Sequence, residues 1–128
     1  MAKIGYCEKC GEYGAIELHH IVHKSQSKIL KDCKINHIYL CGSCHRDNKY
    51  GVHGNNKVDR QLKIELQEKL QELFSDEYVT LDRVREALEL KDGLVYSLFR
   101  SLYMNGDKVK TEELIRTLMG GKLIVGQA

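Results

Sequence analysis

Two Cys-x-x-Cys pairs, Cys7-Glu8-Lys9-Cys10 and Cys41-Gly42-Ser43-Cys44, with 30 residues between them, constrain this chain more than any other feature. Together they supply four thiolates, the number a tetrahedral Zn2+ takes at about 2.3 Å per bond. Gly11 and Gly14 after the first pair, and Gly42 and Ser43 within the second, let the backbone turn tightly around an ion. A closed four-sulfur shell leaves no open position, so the expected Zn2+ is structural. A segment of ~50 residues carries too little apolar bulk to fold securely alone, and zinc binding is expected to contribute much of its folding free energy. The doubled motif argues against a redox pair or chance spacing. Cys33, flanked by Asp32 and Lys34 and without a spaced partner, reads as a free thiol in a loop.

Between the pairs, Glu17-Leu18-His19-His20-Ile21-Val22-His23 sets adjacent imidazoles inside a strand-like run. Successive side chains of a strand point to opposite faces, so His19 and His20 cannot bind one ion from one face without a break or twist. A division of labour is expected, in which one ring binds a metal and its neighbour handles a proton beside it. The pattern predicts strands over 15–22 and 35–40, joined by a 24–34 connection into an antiparallel hairpin, with Asn36 opening the second strand. Ser43 is the expected N-cap of a short helix that carries His45 and is broken by Gly51-Val52-His53-Gly54.

At 128 residues, 42% hydrophobic and 30% charged, the chain has room for one ordinary domain or two very small ones. It has no apolar run near the ~20 residues of a spanning helix and no signal-peptide core, so no membrane role and a cytoplasmic location are expected. Thiols stay reduced there, which favours metal binding over disulfides. The formal charge of +2 is uneven: residues 1–58 hold nine Lys/Arg against five Asp/Glu, and residues 59–128 eleven against thirteen, giving +4 and −2. All six histidines and all five cysteines precede residue 54. The site chemistry therefore belongs to the basic half, whose charge permits a nucleic-acid partner.

Leu18-His19-His20-Ile21, then Asn36 five residues before Cys41, then Leu40-Cys41-Gly42-Ser43-Cys44-His45-Arg46 and Gly51-Val52-His53 occur in that order. In this residues 7–54 resemble the HNH endonucleases, in the phage-type version whose ββα-metal, treble-clef-like fold is stapled by a four-cysteine zinc. The resemblance implies metal-dependent hydrolysis of DNA phosphodiester bonds in a phage or bacterial cytoplasm. It implies His20 as general base and Asn36 as the amide that holds the active-site loop. His19, His45 and His53 are the implied ligands of one catalytic divalent ion (Mg2+, Mn2+, Ni2+ or Zn2+), and Cys7, Cys10, Cys41 and Cys44 those of the structural Zn2+. The chain departs from the family in carrying His23 where a proline often stands and in lacking a Gly-Gly in the next loop. His23 and His37 read as surface or phosphate-facing histidines. Lys24, Lys28, Arg46 and Lys49 are candidate phosphate contacts, against the plainer reading of a solvated face.

Downstream, Leu62, Leu66, Leu70 and Leu73 recur at helical spacing and predict one amphipathic helix over about residues 58–74. Its stripe can cover the zinc domain, pack on the C-terminal helices, or pair with a second chain. From Tyr78 three more helices are expected: one capped by Thr80, one after a turn at Lys91-Asp92-Gly93, and one capped by Thr111 beyond Asn105-Gly106-Asp107. This order is similar to the helix-turn-helix of excisionase-like proteins, with 95–100 as recognition helix and Tyr96, Ser97 and Arg100 facing a DNA groove. The expected architecture is α+β: a zinc-stapled ββα domain over 1–56, a connecting helix over 57–77 and an all-α module over 78–128. A rival reading is a non-catalytic treble-clef zinc module that binds nucleic acid or protein. A third has the C-terminal helices recruit a partner, as a homodimer or with a phage or repair protein.

Overall fold

The computed structural model describes residues 2–124; the first residue and the last four, which belong to the expected 1–56 and 78–128 ranges, lie outside it. Its first half is built on an antiparallel sheet of β1 (Ala2–Tyr6), β2 (Tyr13–His20) and β3 (His37–Cys41), in the order β1-β2-β3. Apolar alternation does not announce the first strand, because its register is set by the cysteine knuckle. Gly11, at φ 83, donates its N–H to Cys7 O at 2.9 Å, and Cys7 N donates to Glu12 O at 2.9 Å. The knuckle is thus itself the hairpin turn, and it sets Tyr6 opposite Tyr13. Glu8 ties it to β3, with its N–H on Tyr39 O at 2.9 Å and its carboxylate accepting from Tyr39 N at 2.7 Å.

The expected strands over 15–22 and 35–40 are shifted. β2 ends at His20, and Ile21 and Val22 leave the strand yet remain buried. Asn36 lies in a 3-10 turn, Lys34–Asn36, just before β3. An apolar run does not distinguish a strand from a buried loop, and here hydrogen bonds from Asn36 hold the loop inside. The helix α1 (Gly42–Arg46) is capped by Cys41 rather than Ser43: the Cys41 sulfur accepts from Cys44 N at 3.4 Å. Zinc-type knuckle geometry and helix capping coincide at that residue.

Asn55 caps α2 (Asn56–Leu73), its side-chain oxygen accepting from Lys57 N and Val58 N. Leu62, Leu66 and Leu70 of the expected stripe are buried, and Gln67 beside them is buried as well. The Gln67 amide clamps residue 124, donating to Ile124 O at 3.0 Å and accepting from Ile124 N at 2.8 Å.

The all-α expectation for the remainder is corrected. β4 (Tyr78–Thr80), β5 (Met104–Asn105) and β6 (Lys108–Lys110) form a second antiparallel sheet in the order β4-β6-β5, interleaved with α3 (Leu81–Leu88), α4 (Asp92–Arg100) and α5 (Thr111–Leu118). Strands of two or three residues carry too few positions for alternation to register. Their one clear mark is Val79 opposite Val109, both buried. One turn and one helix cap also move. The chain reverses at Glu89, in the left-handed region at φ 54, and Asp92 and Gly93 belong to α4. Lys110 rather than Thr111 precedes α5, and it makes no side-chain cap.

The described residues therefore form an α+β fold with two small antiparallel sheets and five helices. Their buried apolar residues make one contiguous cluster from Ile16 of the first sheet to Met119 beyond α5. Cys33 is a free thiol in the connection between β2 and β3, and that connection buries it: it is 3% exposed, with its sulfur 3.3 Å from Ile29 O and 3.7 Å from Leu88 O of α3. Burial pushes this thiol up to about 11, so it is unreactive at neutral pH. Among the described residues no helix is long and apolar enough to cross a membrane.

Candidate metal centres

Cys7, Cys10, Cys41 and Cys44 converge at the junction of the first hairpin with α1, their sulfurs all within 4.8 Å of one another. The Cys10 and Cys41 sulfurs are 3.8 Å apart. A tetrahedron with metal–sulfur bonds of about 2.3 Å has edges of about 3.8 Å, whereas a disulfide bond is about 2.05 Å. Backbone amides point at the sulfurs as well: Lys9 N and Cys10 N lie 3.4 and 3.5 Å from Cys7 Sγ. Burial raises the Cys7 thiol, but the amides of Cys10, Cys41 and Lys9 outweigh it and bring it to about 6. Burial, with the other three sulfurs, pushes Cys44 up to about 12. Thiols this close cannot all ionise without a cation among them, and the cluster could hold a metal ion such as zinc.

A second group lies at the other end of β2, at the mouth of α1. His19 from the end of β2, His45 from α1 and His53 from the following loop bring ring nitrogens within 4.8 Å of one another. The loop reaches this position because it pairs back onto α1, with Val52 N on Cys44 O at 2.8 Å and His53 N on His45 O at 3.0 Å. Gly51 makes that approach possible, since a Cβ there would stand 2.3 Å from Asp47 N.

The hydrogen bonds set the chemistry of these rings. His45 donates from Nδ1 to Glu17 Oε1 at 2.7 Å, which leaves the lone pair of a neutral ring on Nε2. That Nε2 faces His53 Nε2 at 2.9 Å, so a proton or a cation has to lie between them. Two nitrogens each about 2.1 Å from one ion and at right angles around it stand about 3 Å apart. His19 is 3% exposed and its Nε2 has no hydrogen-bond partner among the described residues. Burial, reinforced by His53, His45 and His23, lowers His19 to about 4, and burial with His45 lowers His53. His19 is therefore neutral at pH 7 with an unpartnered, buried Nε2 beside two further imidazoles, the donor set that a transition-metal ion takes.

His20 lines the same cleft, of about 260 Å³, together with Leu18, His19, His23, Lys24, His45 and His53. Its ring packs edge-on to His37 at 5.0 Å. Burial, then His37 and Lys24, lower its pKa, with the Lys31 carbonyl opposing. The strand ends at His20, which is the break that lets adjacent histidines border one cleft. Asn36 is fully buried behind them. It accepts from Val22 N at 2.7 Å and donates to Val22 O and Leu30 O at 3.0 and 3.1 Å, while its own carbonyl accepts from Ile21 N at 2.9 Å.

Three residues at this site carry no role in the sequence pattern. Glu17 orients His45 and also pairs with Arg46 at 3.0 Å, and its pKa is lowered chiefly by the bond to His45. His23 is exposed, as expected of a surface ring, and it lies 6.1 Å from His19 and 6.0 Å from His53 between ring centroids. Asp59 of α2 comes with His23 and His19 into a third group of ligand atoms within 4.8 Å. Alternation could have flagged Glu17, which stands two residues from His19 on one strand face; nothing in the spacing marks Asp59. Of the candidate phosphate contacts, Lys24 borders the cleft and Arg46 is held by Glu17, whereas the exposed Lys28, Lys49 and Arg100 do not line it. Comparison of the chain with protein-family models, with curated proteins and with solved structures gives no match.

Proposed function

We propose that this chain is an HNH-type endonuclease that hydrolyses DNA phosphodiester bonds, with His20 as general base and a divalent ion held by His19, His45 and His53. The observation that carries the reading is the buried, unpartnered Nε2 of His19 beside the facing Nε2 atoms of His45 and His53, in one cleft with His20. A cation bound there supplies Lewis-acid stabilisation of charge on the scissile phosphate and the departing 3′ oxygen. Its imidazole-rich surroundings suit Zn2+ or Ni2+.

The chain's own residues do the rest. His20, kept neutral by burial and by its cationic and imidazole neighbours, accepts a proton from the attacking water. Asn36 holds Ile21 and Val22, the two residues after the base, so that its ring keeps one orientation toward the cleft. Glu17 fixes the tautomer and direction of His45, as carboxylates do behind metal-bound imidazoles. Lys24 on the rim contacts a phosphate. The four-cysteine centre is structural and sets β3 and α1, hence His45, against β2. Tyr96, Ser97 and Arg100, exposed along α4, are the residues of the second module that face DNA.

The test is cleavage of a supercoiled plasmid by zinc-loaded protein with Mg2+, Mn2+, Ni2+ or Zn2+ added in turn. Nicking or linearisation is expected with at least one added ion and not with chelator. Folded protein that leaves the plasmid intact with every one of them overturns the reading in favour of a non-catalytic zinc module.

A further inference from the structure

The third ligand group is the feature the proposed mechanism leaves unused. His23 stands in the loop just after β2, and Asp59 lies one turn into α2, the helix that leads to the second module. With His19 their ligand atoms lie within 4.8 Å of one another. Asp59 is half-buried, bonded to Lys63 through Oδ2 at 3.0 Å, and close enough to act electrostatically on both His19 and His53. His19 is common to both histidine groups, and it is the ring whose buried Nε2 lacks a partner among the described residues. The two groups are distinct sets that overlap at His19. Ligands on opposite sides of one ion with bonds of about 2.1 Å are about 4.2 Å apart, so His23 and Asp59 would join the ion of His45 and His53 by turning their side chains toward it around the shared His19.

We propose that His23 and Asp59 are additional ligands of the divalent ion bound by His19, His45 and His53, and that the ion thereby fastens α2 to the first sheet. This rests on the histidine site proposed above. A fourth imidazole and one carboxylate favour a transition-metal ion over Mg2+. They also reduce the positions left for water and phosphate, so that loss of His23 or Asp59 loosens the ion without removing the base. Because Asp59 belongs to α2, metal loading and docking of the helix are one equilibrium.

The experiment is titration of zinc-loaded full-length protein with Co2+ or Mn2+, followed by calorimetry and, for Co2+, by its visible absorption, in wild type, His45→Ala, His23→Ala, Asp59→Asn and Lys63→Met. One histidine-site ion per chain is expected. Affinity should fall tenfold or more in His23→Ala and Asp59→Asn, and should hold or improve in Lys63→Met, which removes only the competing ion pair. The rise in melting temperature on adding the ion should be smaller in Asp59→Asn than in wild type. Wild-type affinity in both His23→Ala and Asp59→Asn, with affinity lost in His45→Ala, overturns this inference and leaves the histidine site standing. No added ion bound by wild type, or affinity unaffected in His45→Ala, overturns the site itself.

Discussion

Asn36 offers the sharpest test of how the loop behind the cleft is held. Replacing it with alanine removes the partner of Val22 N, at 2.7 Å, and of Val22 O, at 3.0 Å, on a residue with no solvent exposure. Leu30 O is less affected, because it still accepts from Cys33 N at 3.1 Å. Two stranded backbone groups at about 1–3 kcal/mol each give a loss of about 2–6 kcal/mol. With a urea slope of about 1.5 kcal/mol per molar, the unfolding midpoint should fall by roughly 2 M. Asn36→Asp keeps the acceptor for Val22 N but turns an oxygen toward the carbonyls of Val22 and Leu30. Its folded-state pKa is therefore raised, and its penalty should grow as pH rises above about 4, where the unfolded chain ionises freely. Urea unfolding of both variants at pH 5 and 8, with zinc saturating, is the assay. An Asn36→Ala midpoint within about 0.3 M of wild type, or an Asn36→Asp penalty that shrinks with rising pH, would refute the reasoning.

Cys41→Ser should lose the zinc equivalent and the hairpin of the first sheet with it; zinc by mass spectrometry and far-ultraviolet circular dichroism check this, and a folded, zinc-free variant contradicts it. Glu17→Gln should weaken divalent binding at the histidine site by about 10–100-fold without loss of zinc, measured by calorimetry. In protein with zinc retained and no histidine-site ion, His19 sits at about 4 when folded and near 6.5 when unfolded. The unfolded chain then binds the proton first as pH falls, so stability is full above about 6.5 and is lost from there down to about 4. Between pH 7 and 5 the loss is on the order of 2 kcal/mol. Urea unfolding should show a shallower dependence in His19→Asn.

The parts of this protein legible in its sequence are those where residue type alone dictates chemistry. Two knuckles at matched spacing announce a cluster of sulfurs, and the structure brings Cys7, Cys10, Cys41 and Cys44 together. The leucine stripe of α2 is equally readable, because a helix of that length repeats its period several times. The short strands are not: β5 and β6 contribute two and three residues, and turn geometry rather than alternation makes them pair. β1 is hidden because the signal for its hairpin is a cysteine knuckle. His23 and Asp59 are illegible for a different reason, since Asp59 reaches the histidines only through the docking of α2, a tertiary fact without a local mark. Asp32 and Lys34 mislead about Cys33, because polar neighbours say nothing about a sulfur turned inward against Leu88 of α3.

The central claim, a metal-bound histidine site served by a separate base, is tested most directly by measuring DNA cleavage rate and divalent-ion affinity side by side for His20→Ala and His45→Ala. His20→Ala should lose about a hundredfold or more in rate with metal affinity nearly unchanged, because in the proposed mechanism its ring takes the proton and is not a ligand of the ion. His45→Ala should lose affinity, and excess metal should restore part of its rate. A His20→Ala protein that cleaves at the wild-type rate, or one that loses metal affinity as His45→Ala does, contradicts the account.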